Sequence, residues 1–397
     1  MRVLLVHNSY RQAGGEDAVV AAERALLAGH GHEIDMFAAS NDDLDGPGAI
    51  LATAWRAPYS AAARDALARR LAAARPDVVH VHNFFPRLTP AIHDACRAAG
   101  VAVVQTLHNY RLICPAATLL RDGRVCELCV SGSAYRAVRY GCYRGSRRAT
   151  LAVARMIETH RRRRTWHEKV DRFIALTEFA KGRFVAGGLP AARIAVKPNF
   201  AADEGAPGTG PRAGALYVGR LSEEKGARPL IAAWRRVETP LRVIGDGPLA
   251  AELRAAAPAN VAFLGARDAE GVRAEMRRAA VLIVPSICYE GFPMVIAEAY
   301  CRGLPVIASR LGGLAEIVAD GETGLLAAPG DSADLAATAT RAAANPEALR
   351  ALGAGARRRY LARYTPAANH DQLIAIYDAA MTAAGLTLDP GGGMLRS

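Results

Sequence analysis

The chain has 397 residues, 51% apolar and 22% charged, which is the balance of a globular protein with more than one core. No run of about 18 apolar residues occurs, and "MRVLLVHNSY" has too short an apolar stretch for an export signal, so a membrane-spanning or secreted protein is set aside and a cytoplasmic one expected. The formal charge of +12 is concentrated in residues 136–164, where ten arginines stand against one glutamate, which predicts an acidic partner there.

In chain order, short apolar runs at 2–8, 77–83, 101–109 and 171–177 alternate with helix-like segments at 17–30, 60–74 and 89–99. This spacing predicts parallel strand–helix–strand units, and all-apolar runs such as "VAVV" suit a sheet covered on both faces. After "VKPNF" (196–200) comes a Gly- and Pro-rich stretch read as a linker. The pattern then restarts with "ALYVGR", "LRVIGDG", "VAFLG", "VLIVPS" and "LPVIAS", and a last long helix is expected over 366–384. The fold class is therefore α/β: two Rossmann-like, doubly wound parallel-sheet domains with a cleft between them, ligands binding at the carboxyl ends of the strands. Residues 1–198 form the first domain, with an insertion at about 110–165, and 199–365 the second. Residues 366–397 form a helix packing back on the first domain and a flexible tail.

Four motifs bear on chemistry. "YVGRLSEEKG" (217–226) places Gly219, Arg220 and Lys225 at a strand-to-helix turn, a combination that suits a diphosphate, although a plain charged loop reads the same way. "VIGDGP" adds Gly245, which lines the same pocket or makes a plain turn. "CYEGFPMVIAEAY" sets Glu290 in a loop, follows it with Gly291, Phe292, Pro293 and Met294 at a helix start, and places Glu298 in the helix. Two carboxylates beside a diphosphate site suggest a nucleotide sugar. Neither a G-x-G-x-x-G fingerprint nor a Walker A motif is present, which weighs against nicotinamide and P-loop enzymes. No Asp-x-Asp is read at a cleft-facing strand end, so no divalent ion is expected in catalysis.

Among the histidines, His80 and His82 alternate along one strand and are read as pointing to opposite faces, with His82 and Asn83 as candidates to bind the acceptor. His108 also ends a strand. Cys114, Cys126, Cys129 and Cys142 have spacing compatible with a structural four-thiolate zinc knuckle, the alternative being four reduced cysteines. From Ala149 the arginine-rich segment reads as an amphipathic helix with Leu151, Met156 and Ile157 on its apolar face, lying on an anionic leaflet. RNA is disfavoured because no stacking platform accompanies the charge.

Taken together, E-x7-E after an apolar strand, "GR…K" upstream and the "PNF" linker resemble family 4 of the retaining glycosyltransferases, of GT-B fold. "VHNSYRQAGGED", "HVHNFFP" and "TLHNYRLICP" are similar to a bacterial branch associated with capsule, exopolysaccharide and O-antigen assembly. The resemblance implies that Arg220 and Lys225 bind the donor diphosphate, Glu290 the donor sugar and Glu298 the ribose. It implies that Gly291, Phe292 and Pro293 present backbone to the sugar or phosphate. Gly14 and Gly15 match the N-terminal glycine loop, and His108 a histidine near the transferred sugar. The implied reaction is retaining transfer from a nucleotide-diphosphate sugar, UDP- or GDP-linked, to a lipid-linked saccharide acceptor at the inner membrane face, with no cofactor. A nucleotide-sugar epimerase and a non-catalytic basic adaptor are the rivals.

Overall fold

The structure, a computed structural model, describes residues 1–397 except 10–13, 42–45, 204, 206–209, 389–393 and 397. The chain divides into two compact units. The first comprises Met1–Thr118, Glu127–Lys197 and His370–Ser397, the second Leu119–Cys126 and Pro198–Asn369.

The first unit is built on strands β1 (Arg2–Ser9), β2 (Glu33–Ser40), β3 (Val78–Asn83) and β4 (Ala102–Leu107). Between β4 and the next strand in sequence, within the expected insertion, lies a short antiparallel hairpin of β5 (Leu120–Arg121) and β6 (Arg124–Val125) that groups with the second unit. β7 (Arg172–Ala175) and β8 (Ile194–Val196) complete a six-stranded sheet in the order β2-β1-β3-β4-β7-β8, every neighbouring pair parallel. Every residue of β3 and β4 is buried, as strands covered by helices on both faces must be. β2 escaped the sequence reading because "EIDMFAAS" is an edge strand whose residues are only half-buried, so no apolar run marks it.

The second unit repeats the construction with β9 (Ala215–Val218), β10 (Leu241–Ile244), β11 (Val261–Gly265), β12 (Val281–Val284), β13 (Val306–Ser309) and β14 (Gly324–Ala327). Its sheet is again fully parallel, in the order β11-β10-β9-β12-β13-β14. Trp234, Leu230, Ile231, Leu241, Val243 and Ile283 are among the side chains that fill the core on one face.

The strand order reverses between β1 and β3 in the first unit and between β9 and β12 in the second. In open α/β sheets the carboxyl ends at such a reversal leave a crevice that no crossover covers, and ligands bind there. The helix Pro366–Ala383 carries the chain from the second unit into the first. Of the expected flexible tail, 389–393 and 397 lie outside the described residues, whereas β15 (Leu386–Leu388) and β16 (Met394–Arg396) pair antiparallel.

The helix Arg147–Arg162 corrects the reading of the basic segment. Ser146 caps it through Ala149 N–H, but Met156 and Ile157 are each only 1% exposed, so the apolar face is spent on the protein's own interior. Leu151 alone of the three expected apolar residues is exposed.

Candidate active site

In the second unit the reversal point is lined by the loops after β9 and β12. Lys225 ends a single turn, Glu223–Lys225, and its Nζ donates to Glu290 Oε1 at 2.7 Å. Ser286 Oγ donates to the same oxygen at 2.6 Å, a partner that no spacing argument identified. Burial works against the Lys225 charge, but Glu290 beside it more than offsets this and raises the amine above its ordinary value. Lys225 is thus held charged beside Glu290, whose side chain is 11% exposed against 34% for the lysine. Glu290 Oε2 accepts no hydrogen bond among the described residues, so its lone pairs are available.

Arg220 is largely exposed and lies 3.5 Å from Glu224, which also accepts from Ser222 Oγ. Tyr217, at the end of β9, donates to the Arg220 carbonyl at 2.9 Å and so shapes the turn that aims the guanidinium. The glycines here have two different reasons. Gly226 has φ +69°, and a Cβ on it would stand 1.9 Å from the Pro285 carbonyl oxygen. Gly245 has φ +134° and would meet the Gly219 carbonyl oxygen at 2.0 Å. Gly245 is therefore a packing glycine that lets the β9 and β10 loops touch, and its identity needs no ligand. A Cβ on Gly219 would instead meet the Tyr217 hydroxyl at 3.1 Å.

The helix Met294–Cys301 begins at Pro293, and no side chain caps it. Its first N–H groups are thus left for an anion, with the helix dipole behind them. Phe292 is buried edge-on against Tyr364 at 5.3 Å, which anchors the loop carrying Gly291 and Glu290. Glu298 is half-buried, one turn into this helix, and Arg302 donates to its carbonyl at 2.7 Å.

In the first unit the corresponding ends carry His82, His108 and the start of the helix Gly15–Gly29. Asp17 ties this start down, accepting from Gly14 N–H through Oδ2 at 2.8 Å and holding His7 Nε2 through Oδ1 at 2.8 Å. A Cβ on Gly15 would meet nothing within 4 Å, and one on Gly14 only Asp17 at 3.9 Å. Neither has a positive φ, so nothing among the described residues requires glycine there.

His80 and His82 lie on one face of β3 with ring centroids 4.1 Å apart, correcting the expectation of opposite faces. Residues two apart on a strand share a face. His82 is fully buried and cannot touch an acceptor; its Nδ1 lies 2.9 Å from His108 Nε2. Asn83 donates its amide to the Asn8 carbonyl and accepts from Phe85 N–H, locking the loop after β3. His108 is half-buried, and burial lowers its pKa to about 4, so it is neutral at pH 7.

Behind these histidines stands Glu23, which the sequence reading passed over. It occupies a core position on the stripe Val19, Val20, Glu23, Leu27 of its helix, and an acid on an apolar stripe was the available signal. Lys197 Nζ donates to Glu23 Oε1 at 2.6 Å, and both side chains are only 1% exposed. Glu23, His80 and His82 offer three potential metal ligands within 4.8 Å of one another. They do not fit a divalent cation: the Lys197 ammonium already neutralises the carboxylate, and both His80 nitrogens are engaged, by Tyr377 at 2.9 Å and Thr106 at 2.8 Å.

Cys114 and Cys129 are buried, and Cys126 and Cys142 are half-buried. An Asp-x-Asp overlooked in the sequence, Asp43-Leu44-Asp45, follows β2, but 42–45 lie outside the described residues.

Residues 13–204 match the family model "Glycosyltransferase Family 4", and 212–345 match "Glycosyl transferases group 1". The phosphatidyl-myo-inositol mannosyltransferase of Mycobacterium leprae is 33% identical over 234 residues, 55% of this chain and 62% of that protein. A glycogen synthase of Mycobacterium tuberculosis is 37% identical over 163 residues, 38% of this chain and 39% of that one. The chain thus spans less than two thirds of the length of the curated relatives it matches. Among solved structures, the sucrose-phosphate synthase of Thermosynechococcus elongatus superposes with a TM-score of 0.71 at 21% identity, covering 96% of this chain and 99% of that one. Anabaena HepE in complex with UDP gives 0.64 at 18%, covering 94% and 99%. These structures share the fold of this chain, in which each of two parallel sheets has six strands. With one glycosyltransferase model on each half of the chain and the fold matched along nearly its whole length, the protein belongs to the GT-B glycosyltransferases of family 4.

Proposed function

We propose that the protein transfers a sugar, with retention, from a nucleotide-diphosphate sugar to a polysaccharide-precursor acceptor carried on a lipid. The observation that carries this reading is the Lys225–Glu290–Ser286 constellation at the reversal point of the second sheet. It puts a fixed cation beside a carboxylate oxygen whose lone pairs are free, next to an uncapped helix start. A nucleotide sugar needs both: positive charge for the diphosphate and an acceptor for sugar hydroxyls. As the glycosidic bond breaks, Arg220, Lys225 and the N–H groups of the helix Met294–Cys301 stabilise the charge developing on the leaving diphosphate. Glu290 Oε2 holds hydroxyls of the donor sugar, and Glu298 holds the ribose. The binding of UDP by HepE supports UDP as the nucleotide.

Catalysis runs without a divalent ion in this reading, and transfer that survives EDTA supports it. The lipid-linked acceptor rests on the basic surface of the first unit, where Arg136, Arg139, Arg144, Arg147 and Arg148 are exposed along with Tyr135, Tyr140 and Leu151. Each cation near an anionic leaflet contributes about 1 kcal/mol.

The deciding experiment has two parts. Thermal-shift screening against UDP-, GDP-, ADP- and dTDP-sugars should find one that stabilises the fold. Glu290→Ala should then lower transfer from that donor by about 10²–10³-fold, the scale of losing one preorganised polar group in an active site. Unchanged transfer in Glu290→Ala would sink the assignment.

A further inference from the structure

The buried cluster behind His108 is a chain of polar atoms with a direction. Lys197 Nζ meets Glu23 Oε1 at 2.6 Å, Glu23 Oε2 faces His82 Nε2 at 3.5 Å, and His82 Nδ1 meets His108 Nε2 at 2.9 Å. Neither Glu23 Oε2 nor His82 Nε2 has a hydrogen-bond partner, and both are buried. Each is therefore the other's natural complement, about half an ångström beyond the usual N–H···O separation. A small rotation of the carboxylate closes that gap.

Elementary accounting of protons then fixes the rest. Glu23 is ionised: burial alone would raise its pKa, but Lys197 and His82 more than offset this and leave it below the ordinary value. A carboxylate only accepts, so the His82 nitrogen facing it must carry the proton. The opposite tautomer would set two buried acceptors against each other with no donor between them. With its proton on Nε2, neutral His82 presents a bare Nδ1 to His108. His108 Nε2 must then be the donor across the 2.9 Å contact, which leaves His108 Nδ1 as a lone pair. Burial holds both rings neutral, His82 well below its usual value and His108 at about 4, so neither nitrogen gains a second proton at pH 7. The other groups against the chain do not compete for it. His80 is engaged by Tyr377 and Thr106, and His7 by Asp17. Among the described residues, no side chain or backbone group bonds His108 Nδ1.

We propose that Glu23, acting through His82, locks His108 in the tautomer whose Nδ1 is unprotonated, so that His108 accepts a hydrogen bond from a substrate hydroxyl and offers no proton to it. Glu23 and His82 are thus positioning residues and His108 is the contact. The assignment of the hydroxyl to a bound sugar rests on the proposed function; the tautomer itself does not. One consequence is selectivity: a substrate in which that hydroxyl is replaced by hydrogen or fluorine loses a donor and binds less well.

The test is nitrogen NMR of the full chain with 15N-labelled histidine rings at pH 7.5, with His108 assigned by the signals lost in His108→Asn. The expected spectrum has His108 Nε2 protonated and Nδ1 bare. In Glu23→Gln, Lys197 retains an oxygen to bond and the amide NH2 turns to His82, which should reverse both rings and put the proton on His108 Nδ1. The same variant should lower kcat/KM about 10-fold or more. A protonated Nδ1 in the wild-type chain overturns the proposal, even if Glu23→Gln fails to fold. A folded Glu23→Gln with an unchanged His108 tautomer overturns it as well. A bare Nδ1 in a chain that transfers no sugar retires the proposed function and leaves the relay standing. A protonated Nδ1 in an active transferase retires the relay alone.

Discussion

Lys225 and Glu290 are 65 positions apart in sequence and 2.7 Å apart in space, and the carboxylate raises the lysine above its ordinary value. Removing the lysine should therefore act twice, by deleting a cation for the diphosphate and by freeing Glu290 Oε1 from the bond that orients it. Lys225→Ala is expected to reduce transfer by about 10²-fold or more, with the loss also appearing in the donor's thermal shift. The histidines predict a pH effect of a different kind. In the unfolded chain they titrate near 6.5, whereas in the fold burial keeps His108 and His160 neutral down to about pH 4. Between those values the unfolded state binds more protons, so stability falls as pH drops from about 6.5 towards 4. Urea midpoints measured across that range should decline steadily. A flat profile would mean that these rings protonate without cost in the native state.

At the scale of elements, the loops around the second site are held by glycines doing separate jobs. Gly226→Ala forces a Cβ onto the Pro285 carbonyl and an L residue into φ +69°, and should cost at least about 2 kcal/mol in denaturant unfolding. Gly15→Ala adds a methyl to open space at a helix start, and should leave stability unchanged while impairing donor use. The apolar strands of both sheets were legible in the sequence because all-apolar runs bounded by turn residues have few other uses. β2 was not, since an edge strand buries too little to need that pattern. The site was legible where chemistry demands unusual residue types, as at Lys225 and Glu290. It was illegible where a partner is supplied by folding alone: Ser286 and Glu23 are ordinary residues until the chain brings them to Glu290 and His82. The helix Arg147–Arg162 shows the converse, because amphipathicity reveals that one face is covered without naming what covers it.

For the whole molecule, that helix separates two effects which charge counting merges. Met156→Lys buries a cation in the first unit's interior and should destabilise it by about 3 kcal/mol or more. Leu151→Asp, on the exposed side and 43% accessible, should leave the melting temperature unchanged and weaken flotation with anionic liposomes. Flotation unaffected by Leu151→Asp, or equal with neutral lipid, would remove the membrane from the proposed function. Among the described residues no helix is long and apolar enough to cross a bilayer.

The hydrogen bond between His80 and Tyr377 joins residues 297 positions apart, and Leu373, Ala380 and Met381 are buried along the same helix. The first unit is thus discontinuous in the chain. During synthesis its six strands leave the ribosome long before the side chains that seal them. A nascent chain halted at residue 369 carries every strand of the β1–β8 sheet but exposes the ground beneath His80 to water. The order of synthesis is consequently not the order of completion: the second unit, whose main segment is continuous, can close while the first still waits for its last helix.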